Sequence, residues 1–230
     1  MLYTMMKLIF CLPGKQYSGT WLACWNSTVQ WLAQQGITWE AHSHFDPTIY
    51  ECYNALLQGQ AALGKNQKPF QGARSYDWLI WISSDQCWTT QDLARLISYA
   101  DRDIVSGFYP TQDNNTFAVA GIDAQLNEIH WLTRQDVDPH ADSFEVEVAG
   151  LGFLAVKQGV FESLQYPWFR PIWKETDDFA GYTGVDVGFC MQVKSQGYKI
   201  WADPKIQVGY ETPWILRAGV DDDIEGIASL

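Results

Sequence analysis

At 230 residues the chain is long enough for one large domain with a sizeable buried core. Its formal net charge of -12 argues against nucleic acid, whose phosphates demand a basic face, and against an anionic membrane surface. Apolar residues make up an ordinary 47%, but 15% are aromatic and 12 are Trp, rings that stack on sugars and more generally fill cores and interfaces.

Lys7 to Leu12 reads as a buried strand stopped by Pro13-Gly14; its apolar part is too short for a signal-peptide core. The loop Pro13 to Gly19 leads into a helix with Trp21, Leu22, Trp25, Val29 and Leu32 on one face, ended by Gly36. Ile37 to Ala41 alternates as a second strand, followed by His42, His44 and Asp46. The H-x-H pair lacks a third ligand at zinc spacing and reads as loop residues near a binding edge. Thr48 to Leu63 predicts a second helix with Ile49, Cys52, Tyr53, Leu56 and Leu57 inward. The cationic, Gly-rich loop Gly64 to Arg74 follows, and neither GxGxxG after a strand nor GxxxxGKS occurs, which disfavours dehydrogenase or P-loop nucleotide binding.

The stretch Tyr76 to Pro110 carries the clearest signal. Trp78-Leu79-Ile80-Trp81-Ile82 is apolar without alternation, the pattern of a central strand buried on both faces. It gives way to Ser83-Ser84-Asp85-Gln86, polar where the strand leaves the sheet; in open α/β sheets ligands bind at that edge. Thr89 and Asp92 predict a helix cap, Leu93, Leu96, Ile97 and Ala100 an apolar stripe, and Asp103 to Gly107 the next strand. Asp85 has two readings: a turn residue at a strand end, or an oxygen ligand for a divalent cation that holds a diphosphate.

Three β-α repeats up to Gly107 predict a parallel, doubly wound N-terminal half. Phe117 to Ala120 and Glu128 to Leu132 then read as a hairpin, Thr133 to Ser143 as a polar, mobile stretch, and Phe144 to Val148 as a half-exposed strand. Ala149-Gly150-Leu151-Gly152 opens the backbone before another buried strand. The aromatic, Pro-rich run Tyr166 to Trp173 is either a packed loop or a wall for a bound sugar. Thr183 to Cys190 opens a helix ending at Gly197, with Asp186 in its first turn, where the dipole alone is reason enough for an Asp. Ile200 to Glu211 predicts two short closing strands, and residues 216–230, with Asp221-Asp222-Asp223, a solvated acidic tail. No linker divides the halves, no run approaches membrane-spanning length, and the cysteines at 11, 24, 52, 87 and 190 form no CxxC pair. One domain, soluble, cytoplasmic and free of membrane insertion or structural zinc, is expected.

From Phe10-Cys11-Leu12-Pro13-Gly14 to Gly209-Tyr210-Glu211 these segments resemble a GT-A-fold glycosyltransferase of the family-2-like kind, similar to small enzymes encoded by bacteriophages and large viruses. Ser83-Ser84-Asp85 resembles the family's Asp-x-Asp metal motif, Asp103 to Tyr109 the strand after it, and Ala149 to Phe153 the glycine-rich segment beside the acceptor. Gly184 to Cys190 resembles the Glu-Asp motif that opens the helix of the catalytic base, and Trp201-Ala202-Asp203-Pro204 the strand after it. The resemblance implies an α/β/α three-layer sandwich with a mixed, mainly parallel central sheet over 1–215, a nucleotide-binding half at 1–110 and an acceptor half at 111–215. It implies transfer of a sugar from a UDP- or GDP-sugar donor to a glycan or other hydroxyl acceptor, with Asp186 as inverting base and Asp85 holding Mn²⁺ or Mg²⁺. Leu12, Pro13, Gly14, Asp46, Asn54, Ser83, Ser84 and Asp85 would meet the donor, and Gly150, Gly152 and Trp173 the acceptor.

Three positions depart from the family pattern. Ser83 replaces the first Asp of the metal motif, Val185 replaces the Glu before Asp186, and Tyr210 stands where a metal-binding His is common. A protonated phenol is a poor ligand for hard cations, so weak metal binding is expected. The alternative is an impaired nucleotide-sugar or glycan-binding protein on the same fold. A sugar nucleotidyltransferase is disfavoured because Pro13 to Gly19 matches its glycine-rich, basic signature poorly.

Overall fold

The computed structural model describes residues 6–111, 113–123, 128–175 and 180–212. The first strand, β1 (Lys7–Pro13), is followed by α1 (Gly19–Gln35), β2 (Thr38–His44) and α2 (Ile49–Leu56). Then come β3 (Trp78–Ile82), β4 (Gln86–Cys87), α3 (Thr90–Leu96) and β5 (Ile104–Phe108). The second half contributes β6 (Thr116–Asp123), β7 (Glu128–Thr133), β8 (Phe144–Val146), β9 (Val148–Ala149), β10 (Phe153–Lys157) and α4 (Val160–Ser163). Last are β11 (Trp173–Glu175), β12 (Ala180–Tyr182), α5 (Val185–Ser195), β13 (Ile200–Gln207) and β14 (Gly209–Tyr210).

Seven strands form the central sheet in the order β2-β1-β3-β10-β5-β13-β8. Five run in one direction; β10 and β8 oppose them. All five side chains of β3 are buried because the sheet is covered on both faces. Leu8, Phe10, Ile80 and Val105 pack with α1 and α3, whereas Ile9, Cys11, Leu79 and Trp81 pack with α2, α4 and α5. This is the expected three-layer, mixed and mainly parallel α/β architecture. No helix among the described residues is long and apolar enough to cross a membrane.

Several local expectations are corrected. The strand β5 is not beside β3: the antiparallel β10 is wedged between them, with Ala155 opposite both Ile80 and Val105. The second helix stops at Leu56 rather than Leu63, since Gln58 takes φ +57° and Gly59 lies under the Tyr166 ring, where a Cβ would come within 2.6 Å. Ile49 and Leu22 point outward, and Ala100 is exposed beyond the end of α3, so the apolar stripes are narrower than their spacing predicts. The second strand runs on to His44, taking both histidines into the sheet edge. Phe144 to Val148 splits at Glu147, with β8 joining the central sheet and β9 joining β6 and β7. The two closing strands form as β13 and β14, but β13 is eight residues long rather than short, with an irregularity between Asp203 and Gln207, where Pro204 has no N–H for the ladder.

The capping box forms as predicted: Thr89 N–H donates to Asp92 Oδ2 at 2.8 Å, and Asp92 N–H donates to Thr89 Oγ1 at 3.2 Å. Thr89→Ala is expected to cost about 1 kcal/mol in urea denaturation. An unchanged midpoint would mean that packing alone holds α3.

Candidate active site

The parallel strands deliver Pro13, His44 and Ile82 to one edge, and the loops that leave it build the site. Gly14 N–H donates to His44 O at 3.0 Å, and a Cβ on Gly14 would stand 2.6 Å from Ser84 Cβ. Only glycine lets the loop after β1 touch the loop after β3. Leu12 and Pro13 are buried beneath this contact, and Tyr17 Oη donates to Leu12 O at 2.8 Å.

Ser83 to Asp85 is tied down from four directions. Ser83 N–H donates to Gly152 O at 3.0 Å, and Trp21 Nε1–H donates to Ser83 O at 3.0 Å. Glu211 N–H donates to Asp85 O at 2.7 Å, across the ribbon of β4 and β14, and Gln86 Nε2–H donates to Asp85 Oδ1 at 3.1 Å. Burial pushes the Asp85 carboxyl up; the Gln86 amide pulls it down, and the Glu211 carboxylate pushes it up.

Asp186 enters from the first turn of α5. Burial pushes its carboxyl up as well, offset by Val187 N–H, which donates to Oδ1 at 2.8 Å. The turn before it is anchored by Tyr50 Oη, which donates to Thr183 O at 2.5 Å. Tyr53 and Tyr109 are buried within electrostatic reach of both acids. Both phenols are buried and pushed up, chiefly by burial, and both feel the negative charge of Asp85 and of Asp186. Two carboxylates far apart in sequence thus act on the same pair of rings. Gly152 N–H donates to Tyr109 Oη at 2.9 Å, and a Cβ on Gly150 would lie 2.1 Å from that oxygen. The two glycines are therefore seats for the Tyr109 ring.

The remaining sequence candidates fall in different places. Asp46 lies in the loop after β2 and accepts Thr48 N–H at 2.7 Å. Asn54 is buried, with its amide protons committed to Tyr50 O at 2.8 Å and Phe169 O at 2.7 Å, so it ties α2 to the aromatic run and is dropped from the donor contacts. In that run Tyr166, Trp168 and Phe169 are core residues, as the packed-loop reading has it. Trp173 is different: 55% exposed, it meets Tyr182, 67% exposed, edge to face at 5.3 Å, just ahead of the turn that carries Asp186.

Glu211 was not predicted. Its carboxylate raises Asp85 and accepts Ser18 Oγ–H at 2.5 Å, while the neighbouring Tyr210 pairs with Gln86. The acidic residue beside Tyr210 was the available signal, but the irregularity in β13 hides which of the two lies against Asp85. Among the described residues no three His, Cys, Asp or Glu side chains converge on a point. The oxygen donors of Asp85 and Glu211, with the buried and unpartnered Oε1 of Gln86 nearby, fit a hard divalent cation with few protein ligands.

No protein-family model and no curated protein sequence matches the chain. Solved structures do. Protein A197 from STIV superposes with a TM-score of 0.52 at 16% identity, covering 94% of this chain and 100% of that one. GalNAc-T7, crystallised with UDP, GalNAc and Mn²⁺, superposes with a TM-score of 0.53 at 11% identity over 90% of this chain, which spans 44% of that one. The fold is thus GT-A-like, the fold of glycosyltransferases. At these identities the likeness defines the fold alone; what the chain does has to be argued from its own side chains.

Proposed function

We propose that the chain is a glycosyltransferase that moves a sugar from a nucleotide-sugar donor to an acceptor hydroxyl with inversion. The observation that carries this reading is that the short segment Ala149 to Gly152 is bonded to both acid-bearing elements: Ala149 N–H donates to Cys190 Sγ on α5, the helix of Asp186, at 3.4 Å, and Gly152 O accepts Ser83 N–H from the loop of Asp85 at 3.0 Å. The acceptor oxygen attacks the anomeric carbon as Asp186 takes its proton; the bond to the diphosphate breaks, and its electron pair leaves with the nucleotide. Burial raises the basicity of Asp186, which suits it to that proton. The loops around Pro13, Gly14, Asp46, Ser83 and Ser84 receive the donor, and Asp85 with Glu211 would hold Mn²⁺ or Mg²⁺. When bound, such a cation neutralises charge on the departing diphosphate. Exposed Trp173 and Tyr182, near the base, supply faces for a sugar acceptor.

Thermal shifts with UDP, GDP, CDP and TDP, each with and without Mn²⁺, test the donor side. One diphosphate should raise the melting temperature; saturation at a hundredfold over Kd supplies about 2.7 kcal/mol. The shift should grow with Mn²⁺ and vanish in Asp85→Asn. A protein that responds to none of the four sinks the proposal. A second reading, a nucleotide-sugar binder without turnover, is favoured because no third carboxylate or imidazole converges on Asp85 among the described residues. Binding without nucleotide release across a panel of donor sugars would select it.

A further inference from the structure

A cavity of about 480 Å³ opens beside the candidate active site, at the carboxyl ends of β5 and β13. Its volume lies within the range of small-molecule sites, roughly 300 to 1,000 Å³. Phe108, Pro204 and Val208 are buried at its base, and Phe117 and Val137 are half-buried in its walls. The Phe108 and Phe117 rings meet edge to face, with centroids 5.2 Å apart. Among the described residues Arg134 is the one cation of the lining, with its guanidinium carbon 5.8 Å from the Phe117 ring centre.

That guanidinium is held in place. Nε–H and Nη2–H donate to Asn114 O and Oδ1, both at 2.9 Å. Asn114 has φ +54°, a conformation Asn tolerates, in a turn organised by Asp113. The Asp113 carboxylate accepts from Thr111 Oγ1, Asn115 N, and Thr116 N and Oγ1, at 2.7 to 3.0 Å. Arg134 forms no ion pair among the described residues. Two N–H bonds on Asn114 leave three of the five guanidinium donors for other partners.

We infer that this cavity is a second binding site, for a small aromatic anion whose ring lies against Phe117 and Val137 and whose carboxylate, sulfonate or phosphate meets Arg134. The apolar floor and walls suit a ring, and the exposed guanidinium suits an acidic group, so a ligand that carries both meets the whole lining. The inference does not depend on the transferase reading, because Asp85 and Asp186 take no part in it.

The probe is 8-anilinonaphthalene-1-sulfonate, an aromatic anion that fluoresces in apolar surroundings, titrated into the whole chain. One saturable site per chain is expected. Arg134→Gln should weaken it roughly tenfold, as loss of a charge-assisted contact would, and Val137→Trp should fill the cavity and remove binding. N-phenyl-1-naphthylamine, which lacks the sulfonate, should bind wild type and Arg134→Gln equally. Trp173→Ala should leave the sulfonate's affinity unchanged. The inference fails if Arg134→Gln binds the sulfonate as tightly as wild type, if Trp173→Ala abolishes binding, or if no saturable site exists. Arg134 is exposed, so its variant decides the matter even if Val137→Trp does not fold.

Discussion

Asp186→Asn is expected to lower sugar transfer, or slow donor hydrolysis, by about a thousandfold, the usual scale for removing a general base. The same substitution should raise the melting temperature. Burial raises the folded-state pKa of this carboxyl above its unfolded value. Its stabilising contribution is therefore fully present below the unfolded pKa and lost as pH rises through the folded one. Once ionised, it is a half-buried charge whose lost hydration opposes folding. Asparagine keeps an oxygen for Val187 N–H and removes that charge. In the wild type, activity should fall as pH is lowered through the raised pKa, because the protonated acid cannot accept a proton. A pH–rate profile and a melting curve on the same pair of proteins test both halves. Full activity in Asp186→Asn would remove it from the base role, and a lower melting temperature would mean that its carboxylate stabilises the fold.

The second large effect is on stability. In Gly150→Ala the new methyl would meet Tyr109 Oη at 2.1 Å and Ala118 Cβ at 2.9 Å, inside a packed core. Tyr109 cannot retreat without releasing Gly152 N–H, so overpacking adds to a lost buried hydrogen bond. A loss of about 3 kcal/mol or more is expected in chemical denaturation. Tyr109→Phe in the Gly150→Ala background should recover part of it by removing the nearest atom, a coupling that a double-mutant cycle measures. A cost under about 0.5 kcal/mol for the single substitution, the scale of ordinary surface changes, would contradict the tight seat described for this ring.

Much of the framework was legible from local chemistry. An unbroken apolar strand, a capping pair at Thr89 and Asp92, and a polar loop at the strand end each follow from a few consecutive residues. What could not be read depended on distant partners. Nothing in Phe153 to Val156 distinguishes a strand at the sheet margin from one placed between β3 and β5. The early end of α2 follows from Tyr166 and Trp168, more than a hundred residues on, packing against Gly59. The family resemblance makes Asn54 a donor contact; the backbone of Phe169 claims it instead. Glu211 was overlooked because one irregularity in β13 moves the side chains after it relative to their neighbours. Asp85 and Asp186 are readable as candidates, but the bonds from Ala149 to α5 and from Gly152 to Ser83, which tie their elements together, depend on the fold.

The wedged position of β10 bears on how the polypeptide reaches its native state. A nascent chain that has emerged only as far as residue 110 holds β1, β2 and β3 but has nothing to bridge β3 to β5. The bridge arrives with Phe153 to Lys157, so closing the sheet joins segments 77 residues apart at Leu79 and Val156. Such distant closure makes for slow assembly, with β3 left as an open hydrophobic edge in the interval. The first 110 residues are thus not an autonomous folding unit, and their sheet depends on the second half of the chain for completion.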